Sequence, residues 1–250
     1  MSQTHTEIES SYHESAAAAE IHRIRENLRI EGYAKADDSA LGFPADFRDK
    51  LAWAYFNDEV LHSDVPDIPV DRKRARDVIY YEWHDSRLDL SEYENILIKN
   101  RGNIPGERKH SRVLLLENDY ARNFIRTCLT LIPAGSRHDR GTLGVNLFRT
   151  FTQVVTRPHK DNEEYIIIYV VDKIGTGAES YLYRAENPDS LVFSATLHPG
   201  EMLIFKDDLF LHGATPLVPT DGQGAQRDAL VCTVDYQGTY LALRPDMITG

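Results

Sequence analysis

Residues 157–171 have the sequence RPHKDNEEYIIIYVV. The second half of this stretch, Tyr165–Val171, is an apolar run with the length and the β-branched content of a strand that is buried on both faces. The first half contains Pro158, which disfavours a helix at Arg157 and cannot donate a hydrogen bond to a β-ladder. The stretch therefore predicts an extended segment that leads into a buried strand.

His159 and Asp161 stand two positions apart in the extended segment, so their side chains point to the same side. A composition with ten histidines and 39 acidic residues gives between one and two His-x-Asp or His-x-Glu matches by chance, and the sequence contains three. The matches at His5 and His62 lie in a polar tail and before a proline-broken loop, whereas His159 precedes a strand. Context therefore selects His159 and Asp161 as candidate metal ligands.

The second half of the chain consists mostly of short strand-like segments separated by turn signals. These segments are Val145–Val155, Tyr165–Val171, Tyr181–Tyr183, Leu191–Leu197, Met202–Phe205, Leu211–Gly213 and Ala229–Tyr236. Such a series predicts an antiparallel jelly roll built from two sheets. The predicted fold is therefore mainly β, with a cupin-like jelly-roll core and flanking helices that pack against one sheet.

The first half of the chain contributes the helices. Helical apolar patterns cover Glu14–Ile30, the stretch after Pro44 and the stretch Asn118–Leu129. Residues 1–12 are polar and are predicted to form a disordered tail. At 250 residues the chain fits one domain of this class, so we expect residues 13–250 to form a single jelly-roll domain with N-terminal helices.

The overall composition excludes several classes of partner. The net charge of −11 argues against a nucleic-acid partner, because phosphate binding depends on a basic surface. No apolar run approaches the roughly 18 residues of a membrane span, and the first residues lack the pattern of a secretion signal. The two cysteines, Cys128 and Cys232, give no disulfide framework and are expected to be buried. We expect a cytoplasmic protein that acts on a small molecule.

His212 lies on a different predicted strand, which the connections of a jelly roll can bring beside His159 and Asp161. Two imidazoles and one carboxylate on one face of a metal, with the other positions open, are typical of non-heme iron(II) oxygenases. Arg227 follows at the start of the next strand, where its guanidinium could bind the carboxylate of an oxo-acid cosubstrate. The alternative for Arg227 is an ion pair with Asp228 or Asp221.

Four motifs carry a resemblance to a known family. They are Pro158–Asn162, Gly177–Ser180, Leu211–Pro216 and Arg227–Leu230. The motifs are similar to the signature of the iron(II)/2-oxoglutarate-dependent dioxygenases. More narrowly, they resemble the bacterial branch that hydroxylates free amino acids, typified by L-isoleucine 4-hydroxylase. The sequence departs from this branch at Ala178, where a second glycine is common, and at Leu147, where a polar residue is frequent.

The resemblance implies a double-stranded β-helix core with iron(II) on His159, Asp161 and His212, and with Arg227 on the distal carboxylate of 2-oxoglutarate. It also implies that the enzyme uses O2 to oxidise a C–H bond of a free amino acid or a derivative, while 2-oxoglutarate is converted to succinate and CO2. Hydroxylation is the expected outcome because Asp161 is retained, whereas related halogenases replace this carboxylate with a small residue. Desaturation and cyclisation remain alternatives.

Further basic residues are candidates for binding the substrate. Arg149 would bind a substrate carboxylate if it faces the interior of the barrel, and it would otherwise form an ion pair at a sheet edge. Arg74 and Arg76 are secondary candidates within a charged strand approach. The basic loop 100–112 would be a lid or a solvated surface loop. Two other functions stay open: a metal-dependent cupin that uses no oxo-acid, and a non-catalytic module that binds a metabolite.

Overall fold

The structure, a computed structural model, describes residues 2–62, 72–93, 98–99, 107–108, 112–151, 157–220, 222 and 224–235. The α-helices are α1 (Ser2–Ile30), α2 (Phe47–Tyr55) and α3 (Asp119–Leu131), and short 3-10 helices span Leu115–Glu117 and Ala134–Ser136. Among the described residues, no helix combines the length and the apolar character needed to cross a membrane. Most of the basic loop 100–112 lies outside the described residues.

Fourteen strands make up most of the remaining described chain. They are β1 (Tyr33–Asp37), β2 (Arg72–His84), β3 (Arg87–Glu92), β4 (Ile98–Lys99), β5 (Glu107–Arg108), β6 (Arg140–Thr150), β7 (Tyr165–Ile174), β8 (Thr176–Gly177), β9 (Glu179–Arg184), β10 (Asn187–Thr196), β11 (Glu201–Lys206), β12 (Phe210–Ala214), β13 (Leu217–Val218) and β14 (Gln226–Asp235).

Ten of the strands form two facing antiparallel sheets, and the other four form the two-stranded sheets β13-β8 and β4-β5. The larger sheet has the order β1-β11-β7-β14-β6-β2-β3, and the smaller has the order β10-β9-β12. An apolar cluster that includes Ile166 and Phe205 from the larger sheet and Leu182 and Phe210 from the smaller sheet fills the space between them. We call this space the barrel interior. The mainly β, jelly-roll fold predicted from the sequence is confirmed.

Strand β7 lies in the middle of the larger sheet and is buried on both faces, as its sequence predicts. Ile166 and Val170 point into the barrel interior, whereas Ile167 and Tyr169 belong to the larger core on the outer face. The Tyr169 ring lies 5.2 Å from that of Phe124, measured between ring centroids. The helices therefore cover the outer face of the larger sheet.

The helices agree with the predicted patterns except at the start of α1. Helix α3 begins where expected, because the Asn118 side chain accepts hydrogen bonds from the backbone N–H groups of Tyr120 and Ala121. Helix α1 begins at Ser2 rather than near Glu14, in a stretch that contains no proline or glycine. The division into a tail and one domain stays a prediction. The apolar run Val113–Leu116, which resembles a strand in sequence, leads into the 3-10 helix.

The contacts of strand β6 show which of its residues face the helices and which face the barrel interior. Val145 and Leu147 point outward into the core beneath the helices. Asn146 pairs across strands with Val231, which packs against the cluster in the barrel interior. Because residues alternate along a strand, Asn146 and Thr150 face the interior, whereas Arg149 faces outward.

Candidate active site

Backbone pairing brings the three candidate metal ligands together. His159 and His212 form an isolated antiparallel bridge, in which the His159 N–H donates to the His212 carbonyl at 3.0 Å and the His212 N–H donates back at 2.9 Å. Asn162 follows Asp161 with φ of 60°, a left-handed conformation that asparagine tolerates better than most residues. This turn directs the chain from the ligand segment into β7.

The ligand atoms of the three residues lie close to one another. The Nε2 atom of His159 is 3.8 Å from Asp161 Oδ1, and the Nε2 atom of His212 is 3.7 Å from Asp161 Oδ2. One ligand atom from each residue can be chosen such that all lie within 4.8 Å of one another. Two imidazoles and one carboxylate in this arrangement fit iron(II) and leave other coordination positions for small ligands.

The Nδ1 atom of each histidine lies close to an oxygen atom of the protein, which leaves Nε2 available to bind the metal. The Nδ1 atom of His159 is 3.0 Å from the Arg157 carbonyl. The Nδ1 atom of His212 is 3.3 Å from Asp207 Oδ1, a close contact without hydrogen-bond geometry, and the Oδ2 atom of Asp207 accepts the Glu163 N–H at 3.1 Å. Outer partners of this kind fix the tautomer and the orientation of a ligating histidine.

Asp207 is a functional candidate that sequence analysis missed. The sequence of Lys206–Asp208 indicates only the end of a strand, yet Asp207 is fully buried beneath His212. The available signal was an acidic residue five positions before a predicted histidine ligand, in a tight turn. That signal is weak, because acidic residues are common in turns.

The candidate metal site is buried on the side of His212 and exposed on the side of His159 and Asp161. The His212 side chain is 10% exposed, and its ring lies 5.0 Å from that of Phe205 between centroids. The side chains of His159 and Asp161 are 36% and 32% exposed. A ligand can therefore reach the site from the side of His159 and Asp161.

Arg227 enters the barrel interior from β14. It pairs across strands with Thr150 on β6, on the same face of β14 as Val231. Its Nε and Nη2 atoms are buried and have no hydrogen-bond partner within the described part of the chain. Burial, followed by repulsion from Arg72, lowers the pKa of Arg227 to about 10, so the guanidinium stays charged at neutral pH. A buried cation of this kind suits an anionic ligand.

The alternative predicted for Arg227, an ion pair with Asp228, does not form. The carboxylate of Asp228 points to the outer face and binds Arg149 through Nε at 2.8 Å and Nη2 at 2.7 Å. The other alternative partner, Asp221, lies outside the described residues.

Arg149 takes the ion-pair role rather than the substrate-binding role predicted for an inward-facing side chain. Besides Asp228, its Nη2 atom donates to the Phe56 carbonyl at 2.7 Å. The prediction of a substrate contact depended on an interior orientation, whereas alternation along β6 places Arg149 on the outer face. Arg74 and Arg76, the secondary candidates, occupy the interior face instead, because they pair across strands with Phe148 and Asn146.

Comparisons with known proteins agree with this geometry. A family model described as "2OG-Fe dioxygenase" matches residues 84–233. A solved bsmA homolog from Methylobium petroleophilum PM1 has a TM-score of 0.69 at 20% identity, covering 86% of this chain and 92% of that one. IDO from Bacillus thuringiensis has a TM-score of 0.65 at 16% identity, covering 87% and 99%. The Fe(II)/(alpha)ketoglutarate-dependent dioxygenase TqaL has a TM-score of 0.67 at 16% identity, covering 89% and 88%. No curated protein sequence matches this chain.

Proposed function

This chain belongs to the 2OG-Fe dioxygenase family, and from that premise we propose that it hydroxylates an unactivated C–H bond of a free amino acid or an amino-acid derivative. Enzymes of this family use Fe(II), 2-oxoglutarate and O2. The observation that carries the proposal is the convergence of His159, Asp161 and His212 in the same jelly roll as a buried, charged Arg227.

His159, Asp161 and His212 are proposed to hold the iron. Bound iron(II) supplies the chemistry that couples the decarboxylation of 2-oxoglutarate to the oxidation of the substrate. The carboxylate of Asp161 contributes one negative charge, and both imidazoles are directed toward it through Nε2. The contact of His159 Nδ1 with the Arg157 carbonyl and the position of the Asp207 carboxylate beside His212 Nδ1 favour this orientation of the rings.

Arg227 is proposed to bind the distal carboxylate of 2-oxoglutarate. A guanidinium can form two parallel hydrogen bonds with a carboxylate, and such charge-assisted bonds are strong where water is excluded. Two lines of evidence support this role: Arg227 is only 7% exposed, and its Nε and Nη2 atoms have no protein partner in the described chain. Lys173 lies across from Arg227 on β7 and adds positive charge to the same region.

A free amino acid or a close derivative is the proposed substrate class. The four motifs that resemble the amino-acid hydroxylase branch support it. Hydroxylation is proposed as the outcome because Asp161 is present and occupies the position that halogenases open for chloride. Desaturation or cyclisation would show in the product mass as the loss of two hydrogen atoms rather than the gain of one oxygen atom.

The experiment is a screen of free amino acids for succinate formation from 2-oxoglutarate with iron(II) and ascorbate, followed by mass spectrometry of the products. We expect at least one amino acid to stimulate succinate formation and to gain one oxygen atom. His159→Ala, Asp161→Ala and His212→Ala should each abolish turnover, whereas His198→Ala, at an exposed turn position, should not. Arg227→Ala should mainly weaken 2-oxoglutarate, and an unchanged cosubstrate affinity in this variant would refute its role.

A further inference from the structure

Two consecutive residues at the start of β14 carry opposite charges and face opposite sides of the larger sheet. Arg227 enters the barrel interior, whereas the side chain of Asp228 lies on the outer face and is only 2% exposed. Although the two residues are neighbours in the chain, Asp228 forms its ion pair with Arg149, the residue opposite it on β6. The charge of Asp228 is therefore compensated on the outer face and not by Arg227.

The ion pair between Arg149 and Asp228 has the geometry of a strong one. Two parallel hydrogen bonds join the side chains, from Arg149 Nε to Asp228 Oδ1 at 2.8 Å and from Nη2 to Oδ2 at 2.7 Å. The Arg149 side chain is 16% exposed, and its Nη2 atom also donates to the Phe56 carbonyl at the end of α2. A two-pronged pair that is shielded from water is stronger than an exposed ion pair.

The other neighbours of the Asp228 carboxylate do not supply a positive charge. Gln226 Nε2 donates to Asp228 Oδ2 at 3.2 Å, but this amide is neutral. Asp172 lies opposite Asp228 on β7 and repels it. Burial raises the pKa of Asp228, whereas the hydrogen bond from Arg149 opposes this shift. Arg149 therefore supplies the charge that the buried carboxylate requires.

The charge of Asp228 is close enough to affect an anion that binds to Arg227. Consecutive residues of a strand point to opposite faces, so the two charged groups are separated by about the thickness of one sheet. Both residues are buried, at 7% exposure for Arg227 and 1% for Asp228, and charges interact more strongly in a buried region than in water. A compensated Asp228 leaves the field of Arg227 intact, whereas an uncompensated one would weaken it.

We propose that Arg149 is a positioning residue for cosubstrate binding: it holds Asp228 in a neutral pair on the outer face, so that the positive charge of Arg227 stays available to the distal carboxylate of 2-oxoglutarate. The inference rests on the proposed function and extends it to a residue on the opposite face of the sheet. An ion pair that served stability alone would affect the cosubstrate equally whichever partner was removed. A charge-compensating pair makes the two removals differ.

The test is calorimetric titration of 2-oxoglutarate into the protein loaded with Mn(II), in a mildly alkaline buffer that favours the ionised form of Asp228. In Arg149→Gln we expect Kd to rise by about 10-fold, the effect of one unit charge roughly 10 Å away in a protein site. Asp228→Asn removes the negative charge and should not weaken 2-oxoglutarate. Arg149→Gln/Asp228→Asn should recover most of the affinity that Arg149→Gln loses.

Two further variants separate the charge of Arg149 from its shape and its location. Arg149→Lys keeps the charge without the planar fork, and we expect it to bind 2-oxoglutarate more tightly than Arg149→Gln does. Lys73→Gln removes a cation from the position next to Arg149 on β2, where Lys73 bonds to the exposed carboxylate of Asp58 at 2.8 Å. Because that pair is screened by water, this control should keep the wild-type Kd.

The possible outcomes distinguish this inference from the proposed function. Equal Kd values in Arg149→Gln and the wild type, together with a weakened Arg227→Ala, would overturn the inference and leave the proposed function intact. A double variant as weak as Arg149→Gln would also overturn it. If Arg149→Gln does not fold, a loss in Asp228→Asn that approaches the loss in Arg227→Ala would do the same. An unchanged Kd in Arg227→Ala would refute the role of Arg227 and the inference with it.

Discussion

In each histidine of the candidate metal centre, Nδ1 lies beside an oxygen atom of the protein and Nε2 faces Asp161. The Nδ1 atom of His159 is 3.0 Å from the Arg157 backbone carbonyl, whereas that of His212 is 3.3 Å from the buried carboxylate of Asp207, a close contact without hydrogen-bond geometry. The Arg157 carbonyl belongs to the local backbone turn. The Asp207 carboxylate belongs to a side chain from a separate part of the sequence. A side-chain substitution at Asp207 can therefore disturb the orientation of His212, whereas the backbone carbonyl beside His159 is present whatever the side chain.

Asp207→Asn is expected to weaken metal binding by about 10- to 100-fold, as is typical when an outer partner of a ligating histidine is lost. The asparagine oxygen can still accept the Glu163 N–H, but its NH2 group then faces His212 Nδ1 as a donor and disfavours the required tautomer. Calorimetric titration with Mn(II) measures the change. Asp208→Asn, at the adjacent exposed position, is the matched control. Equal affinities in the two variants would contradict the role of Asp207.

The convergence of His159, Asp161 and His212 could be predicted from the sequence, but the orientation of several arginines could not. His159 and Asp161 share a short motif before a recognisable strand, so local context was sufficient. Side chains alternate between the two faces of the strands that carry Arg149 and Arg76. The sequence does not show which of these faces is the interior one. That choice depends on the helices, which cover the face containing Val145 and Leu147 and make it the outer one.

At the scale of elements, one buried and one half-buried carboxyl group connect the larger sheet to the 3-10 helix Leu115–Glu117. Asp77 on β2 accepts the Leu115 N–H at 2.9 Å, and Glu92 on β3 accepts the Leu116 N–H at 2.9 Å. Arg112 lies 3.8 Å from each carboxylate. Burial raises the pKa of Asp77 to about 8, and the nearby Glu92 adds to the shift. Burial therefore favours the protonated form of the Asp77 carboxyl group in the folded protein.

This shift predicts a pH dependence of stability. The folded pKa of Asp77 lies above its unfolded value of 3.8, so its contribution is complete below that value and is lost as the pH rises through about 8. The free energy of unfolding should therefore fall between pH 5 and pH 8, by at most about 1.4 kcal/mol per pH unit from this group. Asp77→Asn, which stays neutral, should flatten the profile in urea unfolding. Asp89→Asn, an exposed carboxylate on β3, should leave the slope unchanged. Parallel profiles for wild type and Asp77→Asn would refute the assignment.

Some elements could not be predicted because their sequences lack a strong pattern. Strand β1, with the sequence YAKAD, buries only two alanines, and it forms because β11 offers a long apolar strand beside it. Strand β3 alternates apolar and polar residues only weakly, and it forms as the hairpin partner of β2. In both cases tertiary pairing overrides a weak local preference. By contrast, β7 has so many β-branched and aromatic residues that the sequence alone identifies it.

Two large apolar cores stabilise the described part of the molecule, and the metal centre touches one of them at its edge. The larger core lies between the helices and the outer face of the larger sheet, with Phe47, Phe124 and Tyr169 at its centre. The smaller core fills the barrel interior and reaches the site through Phe205. The presence of a jelly roll could be predicted from the series of strands. The pairing order could not, because it depends on contacts between residues far apart in the sequence, such as those of β1 with β11.

These cores predict that the protein stays folded without its metal, unlike small domains whose folding depends on zinc. Chelator treatment should leave the circular dichroism spectrum and cooperative thermal unfolding intact. Adding Mn(II) with 2-oxoglutarate should raise Tm, because ligands that bind only the folded state stabilise it by about 2.7 kcal/mol at 100 times Kd. The ligand-induced rise should vanish in His212→Ala and be much reduced in Arg227→Ala, whereas His198→Ala should retain it. Loss of cooperative unfolding after chelation would show instead that the metal holds the two sheets together.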